Sequence, residues 1–88
     1  MSDKKITPEM VGNLITASLI ESVKMGAKTT VVSCTLPNGF VIVESSSCVD
    51  PANYEHKLGT EICLRRIEDK IWAFEGYRLQ CEIYSANN

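Results

Sequence analysis

The sequence predicts a small α+β protein in which an antiparallel β-hairpin packs against a long helix. Its 88 residues suffice for one domain, over 1–88, because a split would leave halves too small for a core. Apolar residues follow helical spacing in two stretches and alternate in others, with Pro, Asn and Gly between them. The predicted order is α-β-β-α-β, with loose ends at 1–5 and 85–88.

The first helix is predicted over residues 8–24. Thr7 suits the N-cap position and Pro8 the first helical position, where its missing N–H is not needed. Gly26 is typical of the residue that follows a helix end. Apolar side chains recur between them at helical spacing: Val11, Leu14, Ile15 and Leu19.

A β-hairpin follows, and its register can be read from the turn. Residues 29–36 alternate between two faces, Pro37–Gly39 has the composition of a tight turn, and residues 40–45 form the return strand. A loop of that length places Cys34 opposite Ile42. One face of the hairpin is then consistently apolar.

The second helix is predicted over residues 51–75, with Asp50 as N-cap, Pro51 at the first position and Gly76 at its end. Its apolar side chains form two opposite groups: Tyr54, Leu58, Ile62 and Trp72, and Cys63, Leu64, Ile67, Ile71 and Phe74. Either a kink at Gly59 aligns the two groups, or one of the two is covered by another copy of the chain. We therefore predict a homo-oligomer, a dimer or a multiple of dimers.

Residues 77–84 alternate again between apolar and polar side chains. This period predicts a third strand. We expect it to pair with an edge of the hairpin.

Charge and composition exclude several classes of function. A net charge of −2 argues against binding of nucleic acid, which needs clustered positive charge. No apolar run approaches the ~20 residues that span a membrane, and no apolar segment follows Lys5 as in a secretory signal. We expect a cytosolic protein with reduced thiols, because nothing indicates the secreted context that a disulfide framework needs. The four cysteines also lack the close pairs that are typical of a zinc site.

No catalytic constellation is visible in the sequence. Nucleophilic catalysis needs a base beside a Ser or Cys, and His56 is the only histidine. It lies between Glu55 and Lys57, outside both apolar groups of the second helix, which favours a solvated surface position. We expect neither an enzyme nor a cofactor.

Several motifs resemble a family of small phage proteins named for the gene-49 and gene-66 products of two enterobacterial phages. They are Asn38-Gly39-Phe40, Cys48-Val49-Asp50-Pro51-Ala52-Asn53-Tyr54, Gly59, Lys70-Ile71-Trp72 and Glu75-Gly76-Tyr77. The resemblance covers about residues 28–80. It implies a bacteriophage accessory protein made in the bacterial cytoplasm. The family carries no known reaction, so it implies no catalytic residue.

Seven residues are candidates for binding a small anionic ligand: Asn53, Tyr54, Ser46, Ser47, Arg65, Arg66 and Arg78. The arginines either pair with Glu61, Glu68 or Asp69 on the helix, or hold the ligand across a subunit interface. Asn53 either caps a turn or contacts the ligand. Asp50 makes the adjacent helix end a poor phosphate site, since it places an anion there.

These observations lead to two main hypotheses. The first is a non-enzymatic phage accessory protein that counteracts host defence by sequestering a small nucleotide-type signalling molecule. The alternative is an interaction module that inhibits or redirects a host protein. An uncharacterised enzyme is a third, weaker hypothesis.

Overall fold

The computed structural model describes residues 5–87 and confirms an α+β fold with an antiparallel sheet packed on a long helix. The three strands lie in the order β1-β2-β3. The elements are α1 (Pro8–Ala17), β1 (Leu19–Met25), β2 (Thr29–Thr35), β3 (Val41–Ser47), a 3-10 turn (Pro51–Asn53) and α2 (His56–Ala86). The order is therefore α-β-β-β-α, which differs from the predicted α-β-β-α-β at two places.

The first difference lies at the end of α1. The helix begins as predicted, with Thr7 Oγ1 accepting from Met10 N at 3.2 Å, but it ends at Ala17 rather than at residue 24. The rest of the predicted helix is strand β1, which pairs with β2 from Leu19 to Met25. Pairing with a neighbouring strand supplies backbone bonds along the whole segment, and this tertiary gain overrides a local helical pattern.

The hairpin is confirmed in place and in register. Cys34 is paired with Ile42, and Leu36 N donates to Phe40 O at 2.8 Å. Gly39 N donates to Leu36 O at 2.8 Å, and Gly39 has a φ of +93°. This geometry is a type I turn followed by a glycine bulge, which suits the twist of the flanking strands.

The second difference lies at the C-terminal end. The predicted strand over residues 77–84 is wrong: α2 continues through it to Ala86, and Gly76 lies in the helix interior. Arg78 bridges Glu75 and Glu82 at helical spacings of three and four residues, which stabilises this part of the helix. The helix also starts later than predicted, because residues 51–53 form only a 3-10 turn.

Of the predicted loose ends, residues 1–4 and 88 lie outside the described residues, whereas residues 85 and 86 belong to α2. Among the residues described, no helix has the length and hydropathy needed to cross a membrane.

The core lies between α2 and the inner face of the sheet, with α1 at one side. Its buried members are Val11, Val32, Cys34, Ile42, Cys63, Ile67 and Ile71. The molecule is elongated, at 56 × 21 × 20 Å, and its radius of gyration is 16.0 Å. A compact chain of this length has about 12 Å. The excess comes from α2, whose 31 residues are much longer than the seven-residue strands.

Gly59 is not a kink, because α2 runs through it without interruption. It lies instead where the helix packs closely against β2. A Cβ at this position would lie 2.3 Å from Thr30 Oγ1 and 2.9 Å from Thr30 Cβ. Only glycine fits such an approach without displacing the buried Thr30.

Candidate functional site

A cavity of about 100 Å³ lies where the end of β3, the 3-10 turn and the first turns of α2 meet. Four of the seven predicted ligand residues line it: Ser46, Ser47, Asn53 and Tyr54. Lys28 and Glu55, which the sequence analysis did not single out as ligand residues, also line this cavity. The cavity thus combines one cation, one carboxylate and several neutral hydrogen-bonding groups.

The β2–β3 ladder positions the first side of the cavity. It extends past β3, since Cys48 N donates to Lys28 O at 3.0 Å. Ser47 Oγ is hydrogen-bonded to Thr29 Oγ1 at 2.8 Å on the outer face of the sheet, so the Ser47 hydroxyl points away from α2. Lys28 Nζ donates to Val49 O at 3.0 Å, so its ammonium group lies across the chain that leaves β3.

The 3-10 turn positions the second side. Asp50 Oδ1 accepts from Ala52 N at 2.9 Å, and Asn53 N donates to Asp50 O at 2.9 Å. Asp50 is therefore a capping residue, as predicted, but it caps this short turn. The expectation that Asp50 occupies the end of the long helix is wrong, because α2 begins only after Glu55, which makes no side-chain capping bond.

The N-terminal end of α2 borders the cavity through Glu55, Leu58 and Gly59. Uncapped N–H groups give a helix start a partial positive charge. Glu55 opposes this charge with its carboxylate. The electrostatics of the cavity therefore depend on the balance between Lys28, the helix end and Glu55.

Tyr54 connects the cavity to a chain of hydrogen bonds between sheet and helix. Its hydroxyl is 2.7 Å from Thr30 Oγ1 and 2.9 Å from His56 Nδ1. His56 Nε2 is 3.0 Å from Ser22 Oγ, which is also 2.7 Å from Thr60 Oγ1. Lys24 Nζ lies 4.9 Å from the centre of the Tyr54 ring, within the range of a cation–π contact.

His56 is exposed, as the sequence predicted, but both of its ring nitrogens are hydrogen-bonded. The Ser22–His56–Tyr54 chain has the distances of a nucleophile, a base and an orienting group. Ser22 and His56 do not line the cavity, however, and both bridge β1 to the helix start. We interpret this chain as a polar brace between the two layers.

The three arginines do not join the cavity. Arg66 Nη1 donates to Ser45 O at 2.8 Å and so covers part of the β3 edge. Arg78 pairs with Glu75 and Glu82, and hydrogen bonds to these carboxylates raise the pKa of its guanidinium. Arg65 is exposed on α2, with no ion pair to any residue that the structure describes.

The cysteines are all free thiols. Cys34 and Cys63 are buried, Cys48 is half-buried and Cys81 is exposed. Burial raises the pKa of the Cys63 thiol. Within residues 5–87, no cluster of three or more His, Cys, Asp or Glu side chains could hold a metal ion.

Sequence reasoning missed Lys28, although the signal was present. The predicted hairpin pairs Cys34 with Ile42, and continuing that register places Lys28 opposite Cys48. Glu55 and His56 carried no such signal, since their positions depend on where the long helix starts.

Residues 6–83 match the family described as "Phage protein (N4 Gp49/phage Sf6 gene 66) family". The match confirms the family resemblance and extends it to α1. No curated protein and no solved structure matches the chain.

Proposed function

Because the chain belongs to the N4 Gp49/phage Sf6 gene 66 family of phage proteins, we propose that it is a non-enzymatic accessory protein that sequesters a small nucleotide-type signalling molecule. In this proposal it acts in the host cytoplasm and counteracts host defence. The observation that carries the proposal is the cavity that Lys28, Ser46 and Asn53 line together.

These groups suit a phosphate group of a ligand. The Lys28 ammonium group, the Ser46 hydroxyl and the Asn53 amide can donate hydrogen bonds to phosphate oxygens, and bonds to charged oxygens are stronger than neutral ones. The Glu55 carboxylate opposes the positive end of α2, so the preference for an anion depends on Lys28 and these neutral donors. A volume of about 100 Å³ suits a single phosphate group and leaves the remainder of a nucleotide outside the cavity.

An apolar surface for that remainder borders the cavity. Leu58 is 51% exposed and Val49 is 91% exposed, although both are large hydrophobic residues. Leu58 lines the cavity, and the carbonyl of Val49 accepts from Lys28. A nucleobase resting on these two side chains would remove apolar surface from water.

Two charge changes of opposite sign test the site. Lys28→Met removes the cation and should weaken binding about tenfold or more, since a hydrogen bond to a charged group contributes ~1.5–3 kcal/mol. Glu55→Gln replaces a carboxylate that repels phosphate with a neutral amide of similar size, and it should strengthen binding. Lys57→Met is the matched control, because Lys57 is an exposed lysine of the same helix start that does not line the cavity.

The assay is a thermal melt with inorganic phosphate, adenosine monophosphate and a panel of cyclic dinucleotides, followed by calorimetric titration. A ligand at 100 times its Kd stabilises the folded chain by about 2.7 kcal/mol. Chromatography of the released ligand tests the non-enzymatic part, and unchanged ligand is expected. The proposal is wrong if no nucleotide raises the Tm, or if Lys28→Met and Lys57→Met bind alike.

One observation favours the second candidate function, a module that inhibits or redirects a host protein. The outer face of the sheet exposes five large apolar side chains: Leu19, Val23, Met25, Val41 and Val43. Apolar patches of this kind often mark protein interfaces. If this function is correct, Val23→Lys should abolish capture of one host protein and leave nucleotide binding unchanged.

A further inference from the structure

The face of α2 that packs on the sheet continues beyond the sheet. Cys63 and Ile67 are buried in the core, and Lys70 pairs with Glu44 of β3. Phe74 meets Phe40 beside the hairpin turn, with ring centres 5.4 Å apart. The same three-and-four spacing then continues through Tyr77, Cys81 and Tyr84.

We call Phe74, Tyr77, Cys81 and Tyr84 the aromatic stripe. Phe74 is 46% exposed, Tyr77 73% and Tyr84 68%, and Cys81 is exposed as well. Soluble monomers rarely expose a contiguous row of large apolar side chains, and such a row usually marks an interface. The stripe therefore has the composition and spacing of a helix face that is buried in the functional assembly.

A groove that complements the stripe lies next to it on the same chain. It runs along Phe40, Val43, Lys70 and Phe74 and has a volume of about 250 Å³. A cavity of ~150 Å³ is large enough to bind benzene. The groove can therefore take the ring of a tyrosine.

We propose that the aromatic stripe joins two copies of this chain as an antiparallel, two-fold helix pair. A two-fold interface requires a surface that complements itself, and a stripe of tyrosines beside a groove for a ring meets that requirement. In an antiparallel pair centred near Leu79, Tyr84 lies opposite Phe74 of the partner subunit, and Tyr77 lies opposite Cys81 of the partner subunit. Each Tyr84 ring then enters the groove beside the partner's Phe40.

The exposed area of the aromatic stripe and of Phe40 is of the order that such a dimer needs. An aromatic side chain offers ~150–250 Å², so Phe40, Phe74, Tyr77 and Tyr84 at their observed exposures supply roughly 500 Å² per copy. A standard interface buries about 800 Å² per partner. The aliphatic side chains that flank the stripe can provide the remainder.

This inference goes beyond the proposed ligand binding and does not rest on it. Lys28 and the cavity lie at the start of α2, whereas the stripe lies at its end. Failure of one proposal therefore leaves the other standing.

Light scattering coupled to size-exclusion chromatography tests the proposal. The unmodified protein should elute at twice its mass of 9.8 kDa. Tyr77→Glu should raise the dimer Kd by about 30-fold or more, the loss expected for a central interface residue. Ala86→Glu adds the same charge on the opposite side of the helix and should leave the dimer intact. Far-UV circular dichroism checks that each variant retains its fold.

Disulfide trapping tests the antiparallel register. Tyr77→Cys places a thiol opposite Cys81 of the partner subunit, so mild oxidation should give a covalent dimer on a non-reducing gel. Ala86→Cys is the control and should stay monomeric on the gel. A mass of 9.8 kDa for the unmodified protein at ~100 μM, which is far above the Kd of most specific dimers, would overturn the proposal. So would equal cross-linking of the two cysteine variants.

Discussion

Replacing Gly59 with alanine should destabilise the protein, even though alanine is the better helix former. The new Cβ would lie 2.3 Å from Thr30 Oγ1 and 2.9 Å from Thr30 Cβ. Rotation of the Thr30 side chain would move its hydroxyl but not its Cβ. Because Thr30 is fully buried in the central strand, α2 and β2 must move apart.

The expected cost follows from three contributions. Overpacking of a tight interior costs ~1–3 kcal/mol. Displacing Thr30 Oγ1 breaks its 2.7 Å hydrogen bond with Tyr54, which contributes about 1 kcal/mol. The higher helix propensity of alanine relative to glycine offsets about 1 kcal/mol of this loss. The net loss of unfolding free energy is about 1–3 kcal/mol, or a fall in Tm of roughly 5–20 °C for a chain of this size.

Gly76→Ala is the matched control, because it makes the same substitution in the same helix. A Cβ at Gly76 would meet no atom within 4 Å. This variant should gain up to about 1 kcal/mol and melt ~4–8 °C higher. Both melts are measured at one protein concentration, since dimerisation makes Tm depend on concentration.

A double substitution identifies the contact that causes the loss. Thr30→Ala removes the atom that lies 2.3 Å from the new Cβ, so it should cost less in the Gly59→Ala protein than in the unmodified one. The reasoning about Gly59 is refuted if Gly59→Ala melts at or above the unmodified protein.

Four further predictions concern the turn, the cap and the thiols. Gly39→Val should lower the unfolding free energy by about 1–3 kcal/mol, because a β-branched residue is strained at a φ of +93°; an unchanged urea midpoint would contradict this. Asp50→Ala should cost about 1 kcal/mol or less, since the cap serves a three-residue turn, and it should leave nucleotide binding intact once the protein is folded. Loss of binding without loss of stability would show that Asp50 contacts the ligand. A thiol reagent should label Cys48 in the native protein and Cys81 in the dissociated monomer, whereas Cys34 and Cys63 should react only after unfolding. Burial raises the pKa of Cys63, so the unfolded chain releases this proton first and stability should fall as pH rises above the ordinary thiol value of 9.0; urea midpoints that do not fall between pH 8 and 10 would contradict it.

Local sequence determined the elements whose partners are close in the chain. The hairpin is one such element, because the turn at Pro37–Gly39 sets the register of the strands on either side. The start of α1 at Thr7 and Pro8 and the capping role of Asp50 are others, since each depends on hydrogen bonds within three residues.

Tertiary structure decided the elements whose local pattern suits both a helix and a strand. Residues 19–25 form a strand because they pair with the edge of β2. The sequence of residues 19–25 contains no local signal for this pairing. Residues 77–84 remain helical because the segment continues a helix already anchored on the sheet, and extending a helix is easier than starting a new element.

The candidate site likewise depends on the tertiary fold. The cavity brings Lys28 next to Asn53 and Tyr54, which are far from it in the sequence. That meeting requires α2 to lie close against β2, and the close approach is possible because residue 59 has no side chain. The sequence alone predicted the donors Ser46, Ser47 and Asn53. Their convergence with a lysine depended on how the helix packs on the sheet.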